Sequence, residues 1–263
     1  MPWIYGALGW MVGVVVNVLA DALPSRERVG APRCRNCGAP RVPAAWSGLL
    51  GWLLVREGCR YCGSPRGYRS PLVESGLLIS FLVLASMRPP AEALIEGAVV
   101  AVFVLIAVID IEHRLILHVV SLPAAAVMAA IGILDPTRGA AKTLWGGLVG
   151  AGVVGVMYLG GILFSRTLAR IRGSRLEEVA FGFGDVTLAA LIGLTVGWPG
   201  IILALLLGVF AAGAYALVYL VGSLLLRRYV AFTAIPYGPF LILGALAVYL
   251  GWVTSLVRAG GAG

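Results

Sequence analysis

The chain has 263 residues, 60% of them hydrophobic and only 12% charged, with a formal net charge of +8. A soluble domain carries about 25% charge, so composition excludes an ordinary water-soluble globule and points to an integral membrane protein, in which spans rather than length count the elements. The excess of base is not the footprint of nucleic acid: 19 of the 20 basic residues are Arg and they cluster between apolar runs, where they mark one membrane side.

Residues 1–20 carry no charge and predict a first span, retained rather than removed as a signal peptide because no basic segment precedes it. A polar insert follows at about 21–70 and holds all four cysteines. Further spans are predicted at about 71–87, 91–109, 115–134 and 143–164, separated by "RPPAE" and "DPTRG" among other breaks. A basic loop, 165–178, comes next. Residues 186–226 then run 41 positions without charge. One helix of that length would reach roughly 60 Å, about twice the hydrocarbon thickness, and "GWPG" at 197–200 divides the run into two spans. A last span is predicted at about 234–256. The fold class is therefore all-α, a polytopic membrane bundle of about eight helices. It divides into a first transmembrane helix (1–20), a four-cysteine insert (21–70), a seven-helix membrane core (71–258) and a tail (259–263).

With eight spans, alternate loops share a side. One side receives 16 basic residues and the other four, so the first, which carries the insert, is expected to be cytoplasmic. Asp110 ends the third span and Asp185 opens the sixth. An even number of spans separates them, which puts both on that same side. Two carboxyls within hydrogen-bonding reach cannot both ionise easily. They share a proton, so one can act as base and the other as acid, as an aspartyl hydrolase requires to activate water and protonate a leaving amine. Gly182 and Gly184 beside Asp185 can take backbone angles closed to other residues and admit a substrate chain. Two competing readings are open at this point: boundary aspartates, one capping its helix, and proton or ion sites of a transporter or assembly scaffold.

The cysteines stand as Cys34-x2-Cys37 and Cys59-x2-Cys62, 21 residues apart. Two such pairs predict a closed, structural, zinc-ribbon-like site with four thiolate ligands. Two disulfides or a redox pair are the alternatives, and a reducing cytoplasm disfavours the first. The insert has few core-forming residues, so a metal would supply missing stability. "GAGVVG" at 150–155 lies inside an apolar span with no strand before it, so it reads as helix packing through Gly146 and Gly150, not as a dinucleotide loop. Glu112 is about 200° round a helix from Asp110 and reads as a boundary charge. His118 reads as a polar helix start, Glu96 as a snorkelling side chain, and Asn17 as an interhelical hydrogen bonder. Trp3, Trp10, Trp198 and Trp252 read as interface anchors.

Taken in order, "VNVLADALP" (16–24), "CRNC…CRYC", "YRSPLVE" (68–74), "DIEHRLILHVVSLP" (110–123), "GFGDVTL" (182–188) and "IPYGPFLILGA" (235–245) resemble the bacterial type IV prepilin leader peptidase / N-methyltransferase family of GxGD membrane aspartyl proteases. The resemblance runs almost the full chain. It implies that Asp110 and Asp185 are the catalytic pair and that prepilins or pseudopilins are the substrates. Cleavage of their basic leader is then expected at the cytoplasmic face of the bacterial inner membrane. It also implies N-methylation of the new N-terminus with S-adenosylmethionine. A preflagellin or signal-peptide-cleaving relative is the rival within the GxGD class, and the Cys insert favours the prepilin type. Glu74 also stands in the family segment, either in the methylation half or paired with a nearby Arg. The chain departs from the family pattern at Ala22, Leu117, His118 and Thr187, none of which removes an aspartate.

Overall fold

The computed structural model describes residues 2–25, 30–34, 36–42, 45–55, 58–64, 67–172, 182–226 and 236–252, without the side chains of 54–55 and 168–172. The end of the basic loop beyond Arg172, Phe181, the basic pair Arg227 and Arg228, and the tail lie outside them. The described residues fold as helices α1 (Pro2–Ser25), α2 (Gly48–Leu50), α3 (Arg69–Met87), α4 (Pro90–His113), α5 (His118–Leu134), α6 (Gly139–Arg172), α7 (Phe183–Val196), α8 (Gly200–Leu225) and α9 (Gly238–Tyr249). A π-turn, Gly51–Val55, continues α2. Five helices are long and apolar enough to cross a membrane, and α5, α7 and α9 are shorter apolar ones. Each expected span thus has its helix. In hydrocarbon every backbone N–H and C=O must be satisfied internally, which a helix does within one segment. Large side chains left uncovered on α6 and α8, among them Val156, Phe210 and Val218, suit contact with lipid.

The chain divides into two compact units, Met1–Ile109 and Asp110–Gly263. In the first, α1 and α3 pack antiparallel through a stripe of small residues. A Cβ on Gly6 would stand 2.8 Å from Leu82 Cγ, on Gly9 2.8 Å from Phe81 Cβ, and on Gly13 2.8 Å from Glu74 Cα. The α1 positions ascend while their α3 partners descend. Asn17 continues the stripe, its Nδ2 donating to the Ser70 carbonyl at 3.1 Å, and Arg69 pairs with Asp21 at 3.0 Å. Small residues let helix backbones approach closely where lipid gives no hydrophobic drive to associate. The Phe81 ring turns the other way and fills the space that Gly97 leaves on α4. At the α3–α4 turn Arg88 Nε meets Glu96 Oε2 at 3.2 Å, so Glu96 is ion-paired rather than simply snorkelling.

In the second unit α7 packs against α5, α6, α8 and α9, and Leu188, Ala189 and Leu191 on it have no exposed surface. The α6–α7 contact is backbone on backbone. Side chains built on Gly146 and Gly150 would strike the carbonyls of Gly193 and Ala189, and one on Gly193 would strike that of Gly146. Gly146 and Gly150 therefore serve packing, as their context indicates, whereas a Cβ on Gly152 would meet nothing within 4 Å. Gly193→Ala is expected to lower stability by roughly 1–3 kcal/mol, typical of overpacking, because no side chain can move aside. Thermal unfolding in detergent checks this.

The far end of α7 is capped from outside. Arg138 donates to the carbonyls of Thr195 and Leu194, and a cation there offsets the negative end of the helix. Gly197 ends the helix with φ +72°, a conformation glycine tolerates, and Trp198 N–H donates to the Lys142 carbonyl at 2.8 Å.

Candidate active site

Asp110 lies in the last turn of α4, which runs on to His113 before the chain leaves through Arg114 at φ 54°. The helix thus ends three residues later than the sequence suggests. Asp110 is 6% exposed, and its Oδ2 accepts the Gly238 N–H at 3.1 Å. Asp185 occupies the third position of α7, and its Oδ2 reaches back to the Gly182 N–H at 2.8 Å. The first turn of a helix leaves N–H groups without intrahelical partners and carries positive partial charge. Asp185 uses them within its own helix, as the third-position acid of a capping box, whereas the start of α9 turns the Gly238 N–H to Asp110 on α4.

Contacts through Gly238 place Asp110 beside the face of α7 that carries Asp185. A Cβ on Gly238 would stand 2.5 Å from Asp110 Oδ2 and 3.5 Å from Leu188 Cδ2. Leu188 is one turn beyond Asp185 on the same face of α7. Tyr237 directly precedes Gly238 at the start of α9. The arrangement therefore offers two acceptors and an adjoining phenol, at the ends of buried helices.

The two glycines of "GFGD" differ. Gly184 is sterically required, since a Cβ there would lie 2.9 Å from Ile116 Cβ. Gly182 has ordinary extended angles, φ −88° and ψ 162°, and the nearest atom to a Cβ would be 3.8 Å away. Gly182 therefore answers to no unusual backbone angle among the described residues. Phe183 between them stacks on His118 at 5.7 Å, and Tyr158 meets its edge at 6.2 Å. His118 thus braces the turn from the first residue of α5, in keeping with a helix-start role.

Gly238 is a site residue that sequence reasoning does not single out. Its one signal is a glycine before proline at the mouth of an apolar run. Gly238→Ala is expected to push the Asp110 carboxylate aside and lower cleavage roughly ten- to hundredfold, as misplacement of about 1 Å can do. Initial rates in membranes with matched protein levels check this.

The four cysteines also come together. Their sulfurs all lie within 4.8 Å of one another, with Cys34–Cys62 at 3.8 Å and Cys37–Cys59 at 3.6 Å. A disulfide needs about 2.05 Å, whereas Zn–S bonds of about 2.3 Å in a tetrahedron put sulfurs about 3.8 Å apart. Both knuckles have the same backbone. The Gly38 N–H donates to the Cys34 carbonyl and the Gly63 N–H to the Cys59 carbonyl, each at 2.8 Å. Gly38 and Gly63 have φ +71° and +66°. Backbone N–H groups of Cys37 and Asn36 lower the Cys34 thiol to about 6, and those of Tyr61 and Cys62 lower Cys59. Cys37 accepts the Ala39 N–H, yet desolvation and the surrounding thiols push it up to about 12. Crowded thiols resist a further negative charge until a cation balances it, so the donor set fits a soft divalent metal.

Glu74 meets no Arg among the described residues. It is completely buried and its partners are neutral donors, Trp10 and Asn17 among them. Trp10 therefore belongs to an internal network and not to the membrane interface, because its indole faces α3. Asn17 does bond between helices. Trp3, Trp198 and Trp252 are exposed.

Apolar helices that hold two carboxylates in one neighbourhood fit a membrane aspartyl peptidase. A model of the type IV leader peptidase family matches residues 97–217, and one of the bacterial peptidase A24 N-terminal domain matches residues 7–88. The chain belongs to the type IV leader peptidase family. It is similar to the prepilin leader peptidase/N-methyltransferase of Aeromonas hydrophila, 27% identical over 98% of this chain and 94% of that one. Proteins of the same name in Burkholderia pseudomallei strain 1026b and Pseudomonas putida are each 30% identical. These alignments cover 86% and 95% of this chain, and 70% and 88% of those proteins. No solved structure matches the chain.

Proposed function

We propose that the chain is a prepilin peptidase, a membrane aspartyl endopeptidase that removes the leader of type IV prepilins or pseudopilins, with Asp110 and Asp185 as its catalytic pair. The observation that supports the assignment is that the Gly238 N–H at the start of α9 holds Asp110 beside the face of α7 that carries Leu188 and Asp185, in a chain of this family. One carboxylate, ionised, takes a proton from water as it attacks the scissile carbonyl. The other, protonated, gives its proton to the leaving amine. Gly182, open to approach, and Gly184, packed on Ile116, shape the turn that carries Asp185. Water is the nucleophile.

The Arg distribution supports an inner-membrane protein with the Cys insert and cleavage site on the cytoplasmic side. Cys34, Cys37, Cys59 and Cys62 would hold a structural zinc ion, which neutralises their charge and ties the two knuckles together. N-methylation of the new N-terminus, with S-adenosylmethionine as donor, is supported by the relatives' names. Glu74 does not fit a part in holding that donor, because its two oxygens are already taken up by five hydrogen-bond donors.

The test is incubation of membranes holding the protein with a prepilin that carries a basic leader, followed by mass spectrometry of the product. A shortened product with a new N-terminus is expected, and its mass reports any added methyl. An intact prepilin together with ion flux would return the aspartates to the role of ion sites.

A further inference from the structure

Glu74 lies one and a half turns into α3, an apolar helix, and has no exposed surface. An acidic side chain in such a place is costly unless its acceptors are satisfied. Its satisfaction comes from two directions. From α1, Trp10 Nε1 donates to Oε2 and Asn17 Nδ2 to Oε1, each at 3.2 Å. From the Cys insert, the Gly48 N–H donates to Oε1 at 2.6 Å, the Leu49 N–H to Oε2 at 3.0 Å, and the Ser47 hydroxyl to Oε2. Ser47 is itself held by Trp10, whose Nε1 also lies 3.2 Å from its Oγ, and by the Leu50 N–H at 3.1 Å. Gly13 makes the room, since a Cβ there would meet Glu74 Cα at 2.8 Å. Every contact asks the side chain to accept, and none asks it to donate.

We propose that Glu74 is the anchor by which the Cys insert is docked on the α1–α3 hairpin. It is a positioning residue, one carboxylate that α1 and α2 grip together, and it does not touch substrate or methyl donor. The chain between α1 and α3 buries little apolar surface of its own; Cys34 and Ala45 are its buried hydrophobic residues among those described. A charge-assisted polar clamp therefore does there what a hydrophobic seam does elsewhere. The contact set lies wholly in the first unit and holds whatever reaction the second performs.

The experiment is hydrogen exchange with mass spectrometry on the full chain in lipid nanodiscs, comparing wild type, Glu74→Gln, Ser47→Ala and the double variant. Gln is isosteric but would point N–H groups at donors. Exchange of the 48–50 amides is expected to rise at least about tenfold in Glu74→Gln, the scale of a lost charge-assisted bond, with peptides of α6 and α7 unchanged. Ser47→Ala should produce a smaller rise in the same segment. Added to Glu74→Gln it should produce no further rise, which is the signature of one shared network. Unaltered 48–50 protection in Glu74→Gln, with loss of product methylation alone, would overturn the proposal. So would fully additive effects, or a Ser47→Ala variant with no local change should Glu74→Gln prove globally unfolded. Because exchange needs neither cleavage nor metal, a failure here is distinct from failure of the peptidase reading.

Discussion

Asp110→Asn and Asp185→Asn are each expected to leave prepilin at full length. Asn is isosteric and can still accept the N–H bonds from Gly238 and Gly182, so the helices keep their positions. What is lost is the ability to hold and pass a proton, a function worth about 10² to 10⁴ in rate for one general acid or base. The two groups act as a unit, so either single change is expected to remove nearly all activity, and the double change to add little. Gel mobility of a prepilin after incubation with each variant, at equal levels of folded protein, checks this. A single Asn variant that processes at more than about a tenth of the wild-type rate contradicts the pair, since general acid–base loss alone exceeds that.

Cys59→Ser, or a strong chelator applied to the native protein, is expected to open the insert while the membrane helices stay folded. Structural zinc contributes on the order of 10 kcal/mol or more of binding free energy to small modules. Among the described residues of the insert there is almost no apolar core to substitute for it. The expected readouts are loss of bound zinc, rapid maleimide labelling of the remaining thiols, and new protease cuts confined to the insert. Protein purified without chelator and found free of zinc, with its thiols still protected, contradicts the metal assignment.

The spans are legible in the sequence because hydrocarbon imposes a simple rule, a charge-free run of sufficient length, and each run has its helix. Asp110 and Asp185 are singled out by the family motifs around them, since Asp21, Glu74 and Asp135 also border apolar runs. The cysteine spacing fixes local knuckle geometry, so four sulfurs at metal distance follow from two short motifs. The rest depends on partners distant in the chain. Gly238 sits 128 residues from Asp110, and in a chain with 36 glycines one more carries no signal. The Gly6–Gly9–Gly13 stripe is likewise meaningful only once α3 lies on it. Trp10 misleads because a position near the predicted membrane border does not reveal which way the indole faces. Glu74 stands out as an acid in an apolar run, but its partners include backbone amides and a hydroxyl at α2, a short element no periodicity announces.

The two helices that begin at the carboxylates are stubby. At 14 and 12 residues, α7 and α9 reach only about 21 Å and 18 Å, against some 30 Å of acyl chains in a typical bilayer. A deficit of roughly a third would be met by a dimple in the lipid where such a helix faces it, or by solvent reaching down from the headgroups. Either would bring water toward the first turns of α7 and α9. A hydrolytic reaction, which must find water beside a greasy substrate helix, would thereby gain its reagent without exposing the remainder of the bundle.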